Sequence, residues 1–470
     1  MSTNRRHFLK KASLVSAGLS LTPTILTACQ ESTKQEINSR PVEAKYMGGF
    51  SAEKLETVRC AFIGVGARGS SHIEQISNIA DTEVVAICDL YEDLAKRSYD
   101  KCKSIGKGTR HKDIAIYTNG DNDWKKMLKD IKPDIVIIST PWELHASMAI
   151  ETMKHGSHAF VEVPLALTLD EIWEIINTSE TTQKHCMMME NVNYGREELL
   201  YLNMCRQGVI GELLHAEAAY IHELRFQMNE NNRGTGSWRT YHYSNRNGNL
   251  YPTHGLGPVS QYMNLARTDD NFKFINSFSS PSIGRKLYAN KNFPDDHKWN
   301  QIEFMSGDIN TSIIKTELGR TIMVQWDETS PRPYSRHNLI QGTSGTLAGF
   351  PTRVALEGGI EGASENHHSW VMGEQLAKIF EKYEHPLYKR MGLISKKMGG
   401  HGGMDFLMLY RIIECLKQGE PLDQNVYEGC FWSAVSPLSE ISVAQNGTPQ
   451  EFPDFTRGDW ETTLPLDIIT

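Results

Sequence analysis

Between residues 58 and about 190, short apolar runs alternate with amphipathic stretches. Val58–Gly64, Glu83–Cys88, Asp134–Ser139, His158–Val161 and Cys186–Met189 read as strands buried on both faces. Between them, Ser70–Ala80 carries Ile73, Ile76 and Ala80 at helical spacing, and Asp121–Ile131 carries Trp124, Met127 and Leu128. Glu143–His155 and Thr168–Glu180 read as further helices, the first closed by Gly156. This rhythm predicts repeated βαβ units, and so a parallel sheet covered by helices on both faces. After about residue 193 the rhythm changes. His215–Ile221, Thr311–Glu317, Thr321–Gln325 and Asn338–Gly342 read as strands without regular helices between them. They predict a second, α+β domain built on a large, mostly antiparallel open sheet. Residues 227–257 and 280–300, rich in Asn, Gly, Arg, Pro and Tyr, read as long loops of the kind that carry function.

Composition narrows the class without naming a function. The chain has 470 residues, enough for two domains, with 39% hydrophobic and 23% charged residues. Net charge is −8 and no basic block follows the N-terminus, which argues against nucleic-acid binding. Eight scattered cysteines show no C-x-x-C pair, so neither a disulfide framework nor a zinc site is expected. His367-His368 is not a metal signal, because adjacent ligands on one helix diverge; no metal is expected. The N-terminus does add something. Arg5-Arg6-His7-Phe8-Leu9-Lys10, then an apolar run ending in Leu26-Thr27-Ala28-Cys29, resembles a Tat-type export signal closed by a lipobox. Residues 1–29 are therefore expected to be a signal, with Cys29 lipidated and the protein anchored at the periplasmic face of a membrane. Residues 30–57, polar and mixed, read as a tether.

The first apolar strand runs into Gly64-x-Gly66-Ala67-Arg68-Gly69, followed by a helical segment, with Asp89 ending the next strand twenty residues on. Gly64 permits a tight turn, Gly66 lets backbone approach a pyrophosphate, and Gly69 lets helix and strand pack closely. Asp89 is suited to accept hydrogen bonds from ribose hydroxyls and would repel a ribose phosphate, which favours NAD over NADP. The expected fold class is α/β: an N-terminal Rossmann domain over 58–192 and the α+β domain over 193–470.

Two later turns sharpen this. Ser139-Thr140-Pro141-Trp142-Glu143-Leu144-His145 and Val161-Glu162-Val163-Pro164 resemble the Thr-Pro-x-x-x-His and Glu-Lys-Pro turns of the glucose–fructose oxidoreductase/inositol dehydrogenase superfamily. Two departures stand out. The lysine of Glu-Lys-Pro is Val163, and the carboxylate expected four residues before the catalytic histidine, His254, is Leu250. The segments Glu190–Tyr194, Tyr220–Arg225, Trp238-Arg239, Gly248–Gly255, Pro331–Arg336 and Gly400–Phe406 are together similar to glycoside hydrolase family 109.

That resemblance implies an NAD-dependent α-N-acetylgalactosaminidase. It places Ala67, Arg68, Asp89, Trp142, Glu143, Leu144, His145, Glu162, Val163 and Asn191 around NAD. It places Tyr220, Arg239, Tyr251, Pro252, Thr253, His254 and Tyr334 around the sugar. The implied chemistry is retaining hydrolysis through transient oxidation at sugar carbon 3, elimination, water addition and return of the electrons, so that tightly held NAD is recycled. His254 is the first candidate base, because imidazole titrates nearest neutral pH. Tyr194 and Tyr251 are candidates for proton transfer, given a lowered pKa or a donor role. The substrate side is a glycan with terminal N-acetylgalactosamine, and a homo-oligomer stays open. Two alternatives also stay open: a periplasmic NAD-dependent sugar oxidoreductase with net redox turnover, and a non-catalytic carbohydrate-binding lipoprotein.

Overall fold

The apolar runs of the N-terminal half become six parallel strands: Val58–Ile63 (β1), Thr82–Cys88 (β2), Ala115–Tyr117 (β3), Ile135–Ile138 (β4), His158–Val161 (β5) and Cys186–Met188 (β6). Their order is β3-β2-β1-β4-β5-β6. The computed structural model describes residues 39–105, 111–361 and 368–467. Helices Ala67–Asn78, Glu92–Ile105, Asp123–Ile131, Trp142–Lys154 and Leu169–Thr182 connect the strands. Strand order reverses between β1 and β4, which opens a crevice at their C-terminal ends, where ligands of such sheets bind. Two elements escaped the sequence pattern. β3 is a three-residue edge strand with one buried position, and helix Glu92–Ile105 buries only Ala95, Ser98 and Cys102, so neither writes an apolar run.

The second sheet has nine strands, in the order β14-β13-β12-β11-β7-β10-β9-β8-β15. They are Leu213–Ile221 (β7), Phe272–Ser279 (β8), Ile309–Thr316 (β9), Thr321–Asp327 (β10), Leu339–Gly342 (β11), Gly345–Ala348 (β12), Arg353–Leu356 (β13), Val371–Met372 (β14) and Gln450–Glu451 (β15). The pairing is antiparallel except between β7 and β10. One face is covered by the buried helix Val426–Ala444: Phe431 stacks on Phe272 at 5.0 Å, and Ser442 Oγ accepts from Ser277 N at 2.9 Å. Together the layers form an N-terminal Rossmann sheet followed by an α+β half on a mixed sheet.

Three sequence expectations need correction or placing. The tether drawn over 30–57 does not hold for its C-terminal part: Met47 is buried, Lys45 N donates to Glu180 O at 3.0 Å, and Leu55 N to Leu416 O at 3.1 Å. One apolar side chain and a few backbone bonds suffice to dock a polar strip, which composition does not reveal. The loops drawn over 227–257 and 280–300 contain helices Thr235–Asn245, Thr253–Tyr262 and Gly284–Asn292. Their Asn- and Gly-rich sequences are helical because tertiary burial of Tyr243, Leu256, Val259 and Ala289 overrides weak intrinsic propensity. The signal over 1–29 and its Cys29 lie outside the described residues.

Three buried histidines tie the fold to pH. His158 Nδ1 accepts from His185 N at 2.9 Å, and His385 Nδ1 accepts from Leu387 N at 3.2 Å as the N-cap of helix Pro386–Met398. Burial pushes His158 down to about 2, His185 to about 3 and His385 to about 4. The unfolded chain takes up these protons as pH falls through 6.5, and the fold does not. Their contribution is therefore fully present above that pH and is lost progressively below it, by about 1.4 kcal/mol per histidine per pH unit. Denaturant midpoints should fall between pH 7 and pH 5. His385→Asn, which keeps a capping acceptor, should flatten that slope by one proton; an unchanged slope contradicts the assignment.

Candidate active site

The rim of the first sheet is shaped for a dinucleotide. Gly64 has φ +81°, and a Cβ there would meet Ser139 O at 2.7 Å; a Cβ on Gly69 would meet Gly64 O at 2.0 Å. A Cβ on Gly66 meets nothing within 4 Å, so this glycine faces open space beside the start of helix Ala67–Asn78. That helix has no side-chain N-cap bond, which leaves backbone N–H groups to meet an anion. Asp89 accepts from Val65 N at 2.7 Å and Tyr91 N at 2.9 Å, one bond per carboxylate oxygen, with lone pairs to spare for hydroxyls. The turn fits NAD.

Arg68 leaves this turn between two carboxylates: Nε donates to Glu162 Oε1 at 2.9 Å and Nη1 to Asp405 Oδ2 at 2.9 Å. Burial alone would raise Glu162, but the Arg68 guanidinium and a 2.6 Å contact from His72 Nε2 hold its carboxyl well below the usual range. Asn191, just past β6, donates its amide to Asp405 Oδ1. His145 reaches the rim but turns inward, its ring nitrogens 2.7 Å from Pro164 O and 2.8 Å from Thr140 O, and braces two turns together. Val163 is buried in the core. Glu143 and Leu144 stay exposed, Glu143 Oε2 lying 3.3 Å from His242 Nε2.

Trp142 joins the two halves of the chain. Its ring lies 5.3 Å from Trp238 and 5.9 Å from Tyr251. The Arg239 guanidinium sits over Trp142 at 4.6 Å and over Tyr251 at 4.9 Å. Tyr251 stacks on Tyr220 at 4.5 Å, and Tyr220 meets His254 at 5.2 Å and Tyr334 at 6.2 Å edge-on. Pro252 and Thr253 are buried at the start of the helix that carries His254. That helix lies directly on β7 because residue 255 is glycine: a Cβ there would meet Ala219 N at 2.3 Å. The close approach sets His254 beside Tyr220.

His254 has an acid partner after all. Its Nδ1 lies 2.7 Å from Glu190 Oε1, and Glu190 is fully buried at the end of the sixth strand. A carboxylate accepts, so Nδ1 carries the hydrogen and Nε2 the lone pair, which faces Tyr251 Oη at 3.4 Å. Burial pushes the Tyr251 phenol far up despite Arg239, so this hydroxyl is a donor. Arg239 is buried, its Nε unpartnered among the described residues and its Nη1 3.9 Å from a fully buried Glu328 that also accepts from Tyr243. Burial works against the Arg239 charge, but Glu328 and the surrounding phenols raise its pKa on balance. His222 Nδ1 meets Tyr220 Oη at 2.8 Å, and burial lowers the pKa of this ring.

Tyr194 is not brought to this cluster. It is buried, its hydroxyl donates to Asp423 Oδ2 at 3.1 Å, and burial pushes the phenol well above its ordinary value. The position four residues before His254 is Leu250; the acid is Glu190, 64 residues before the histidine, which packs there because residue 257 is glycine, where a Cβ would meet Glu190 Cγ at 2.9 Å. Its place directly before Asn191, at a strand end, was the available signal. Glu328, Asp405 and His72 have no role assigned by the sequence: Asp405 stands in the Gly400–Phe406 segment and His72 three residues past Gly69, but neither spacing shows which partner the side chain meets.

Residues 194–462 match the model for the glycosyl hydrolase 109 C-terminal domain. The chain belongs to glycosyl hydrolase family 109. Residues 58–190 of this family member match the NAD-binding Rossmann fold of an oxidoreductase family. The chain is 60% identical to glycosyl hydrolase family 109 protein 1 of Akkermansia muciniphila, covering 100% of this chain and 99% of that one. It is 55% identical to an alpha-N-acetylgalactosaminidase of Shewanella oneidensis, over 99% of each. Among solved structures, an NAD binding oxidoreductase from Klebsiella pneumoniae shares the fold with TM-score 0.63 at 15% identity, covering 85% of this chain and all of that one. Levoglucosan dehydrogenase in complex with NADH does so with TM-score 0.60 at 17% identity, covering 84% and 99%.

Proposed function

We propose that this family member removes terminal α-linked N-acetylgalactosamine from glycans with retention of configuration, using NAD that it holds through successive turnovers. The observation that carries this reading is the run of contacts from Trp142, on the dinucleotide side, through Arg239 and Tyr251 to Tyr220 and His254 of the other half, with Glu190 paired to His254. The 55% identity to the Shewanella oneidensis alpha-N-acetylgalactosaminidase supports the choice of sugar.

When bound, NAD supplies a reversible two-electron oxidation at carbon 3 of the sugar. The residues of the chain supply the rest. His254 Nε2, its lone pair fixed by Glu190, accepts a proton. Tyr251, kept protonated, donates a hydrogen bond. Arg239, buried and with its Nε free of a partner among the described residues, stabilises negative charge on a sugar oxygen. A ketone at carbon 3 acidifies the hydrogen on carbon 2. Its removal expels the glycosidic oxygen from carbon 1, and water then adds to the unsaturated sugar. Electrons taken at the start are returned at the end, so hydrolysis is net redox-neutral. Val163, buried where related redox enzymes carry lysine, favours this over net sugar oxidation.

Export belongs to the same proposal: a twin-arginine signal with Cys29 as lipid anchor suits a protein that loads its dinucleotide before crossing a membrane. Purified full-length protein given para-nitrophenyl α-N-acetylgalactosaminide, with no cofactor added, should release nitrophenol without accumulating oxidised sugar. Reduced cofactor accumulating in proportion to product would favour the oxidoreductase, and sugar affinity without product would favour a binding protein.

A further inference from the structure

Five consecutive residues, Gly399–Gly403, hold φ between +46° and +107°. Such left-handed backbone is open to glycine and costly for other residues, and His401 is the one non-glycine in the run. The run is pressed into place. A Cβ on Gly400 would meet Gln75 Nε2 at 2.0 Å, on the helix that follows the dinucleotide turn. A Cβ on Gly403 would meet the Ser395 backbone at 2.7 Å. Helix Met404–Gln418 starts immediately afterwards, so His401 and Asp405 flank the junction.

Both side chains reach the cofactor rim. Asp405, fully buried, accepts from Arg68 Nη1 at 2.9 Å and Nη2 at 3.3 Å, and also from the Asn191 amide. His401 Nδ1 lies 2.8 Å from Asp405 Oδ2 and 3.0 Å from Arg68 Nη1. Arg68 belongs to the turn after the first strand and Asn191 to the segment after the last strand of the Rossmann sheet. One carboxylate from the other half of the chain therefore ties the two ends of the dinucleotide rim together.

We propose that His401 and Asp405 form a clasp that sets how slowly NAD leaves. The proposal rests on the NAD reading above and adds the part that keeps the cofactor in place. Arg68 cannot swing away from the turn without breaking charge-assisted bonds to Asp405, and Asn191 is held by the same carboxylate. The left-handed glycine run fixes His401 against Asp405 and limits the freedom of that carboxylate to follow. Neither residue touches reacting atoms; both are positioning residues. Slow release is the property that an enzyme with a recycled dinucleotide needs where no pool of it exists.

The test follows exchange of the cofactor itself. Full-length protein loaded with NAD is mixed with excess isotopically labelled NAD, and protein-bound nucleotide is followed by mass spectrometry. His401→Ala and Asp405→Asn should exchange about tenfold faster than the unaltered protein, equivalent to about 1.4 kcal/mol of lost restraint. His401→Gln, which keeps a polar amide toward Arg68 and Asp405, should recover part of the slow rate. Because the His401 side chain is half exposed, its variants remain informative if Asp405→Asn fails to fold. Exchange accelerated by less than twofold in the folded variants, whatever their melting temperatures, overturns the clasp and leaves the NAD reading standing. Unaltered protein that neither carries NAD nor takes up the labelled form overturns the NAD reading and the clasp with it.

Discussion

His254→Ala should lose about 10³-fold in kcat while retaining its full complement of NAD. The size follows from the role: His254 Nε2 is the one lone pair in the cluster whose tautomer is fixed by a buried carboxylate, at 2.7 Å. The phenols and the guanidinium beside it cannot replace it. Tyr251 and Tyr220 are held protonated by burial, and Arg239 is a donor only. Glu190→Gln should cost about 10²-fold, because an amide can donate to Nδ1 and favour the tautomer with hydrogen on Nε2. Steady-state kinetics together with nucleotide content of the purified variants checks both. A His254→Ala protein with full cofactor and near-normal kcat would remove the histidine from the chemistry.

The second large effect lies at the other end of the site. Gly66→Val should give a folded protein with almost no NAD and correspondingly little activity. A Cβ at residue 66 meets no protein atom within 4 Å, so the added side chain enters the space where a pyrophosphate would approach. Gly69→Val differs in kind, since its Cβ would strike Gly64 O at 2.0 Å and disturb the turn itself. Asp89→Ala should weaken retention more mildly: it removes the acceptor for ribose hydroxyls and releases Val65 N. Nucleotide released on denaturation, measured per mole of protein, separates the three. Full NAD content in both Gly66→Val and Asp89→Ala would mean that the dinucleotide binds elsewhere.

Much of this was legible in the sequence because the physics is local. The Rossmann strands are buried on both faces, so they write continuous apolar runs, and the glycines of the turn are fixed by backbone collisions within a few residues. The residues that the resemblance assigns to the sugar were legible only through it: in the structure Tyr251, His254 and Tyr334 gather around Tyr220, and Arg239 lies over Tyr251. What was not legible is partnership across distance. Glu190 reaches His254 through a helix that only small residues allow to pack so closely, and Asp405 reaches Arg68 from 337 residues away. Tyr194 shows the converse. Its place in the Glu190–Tyr194 segment makes it a candidate for proton transfer, but its hydroxyl turns away to Asp423. The helices at Thr235–Asn245 and Gly284–Asn292 were hidden because they form on tertiary burial and not on propensity.

The proposed hydrolysis requires proton removal from carbon 2 of a transiently oxidised sugar. Hydrolysis of para-nitrophenyl α-N-acetylgalactosaminide in heavy water tests it most directly, with the released sugar analysed by NMR. Deuterium should appear at carbon 2 of the N-acetylgalactosamine product. Product formed at normal speed with only hydrogen at that carbon would contradict it.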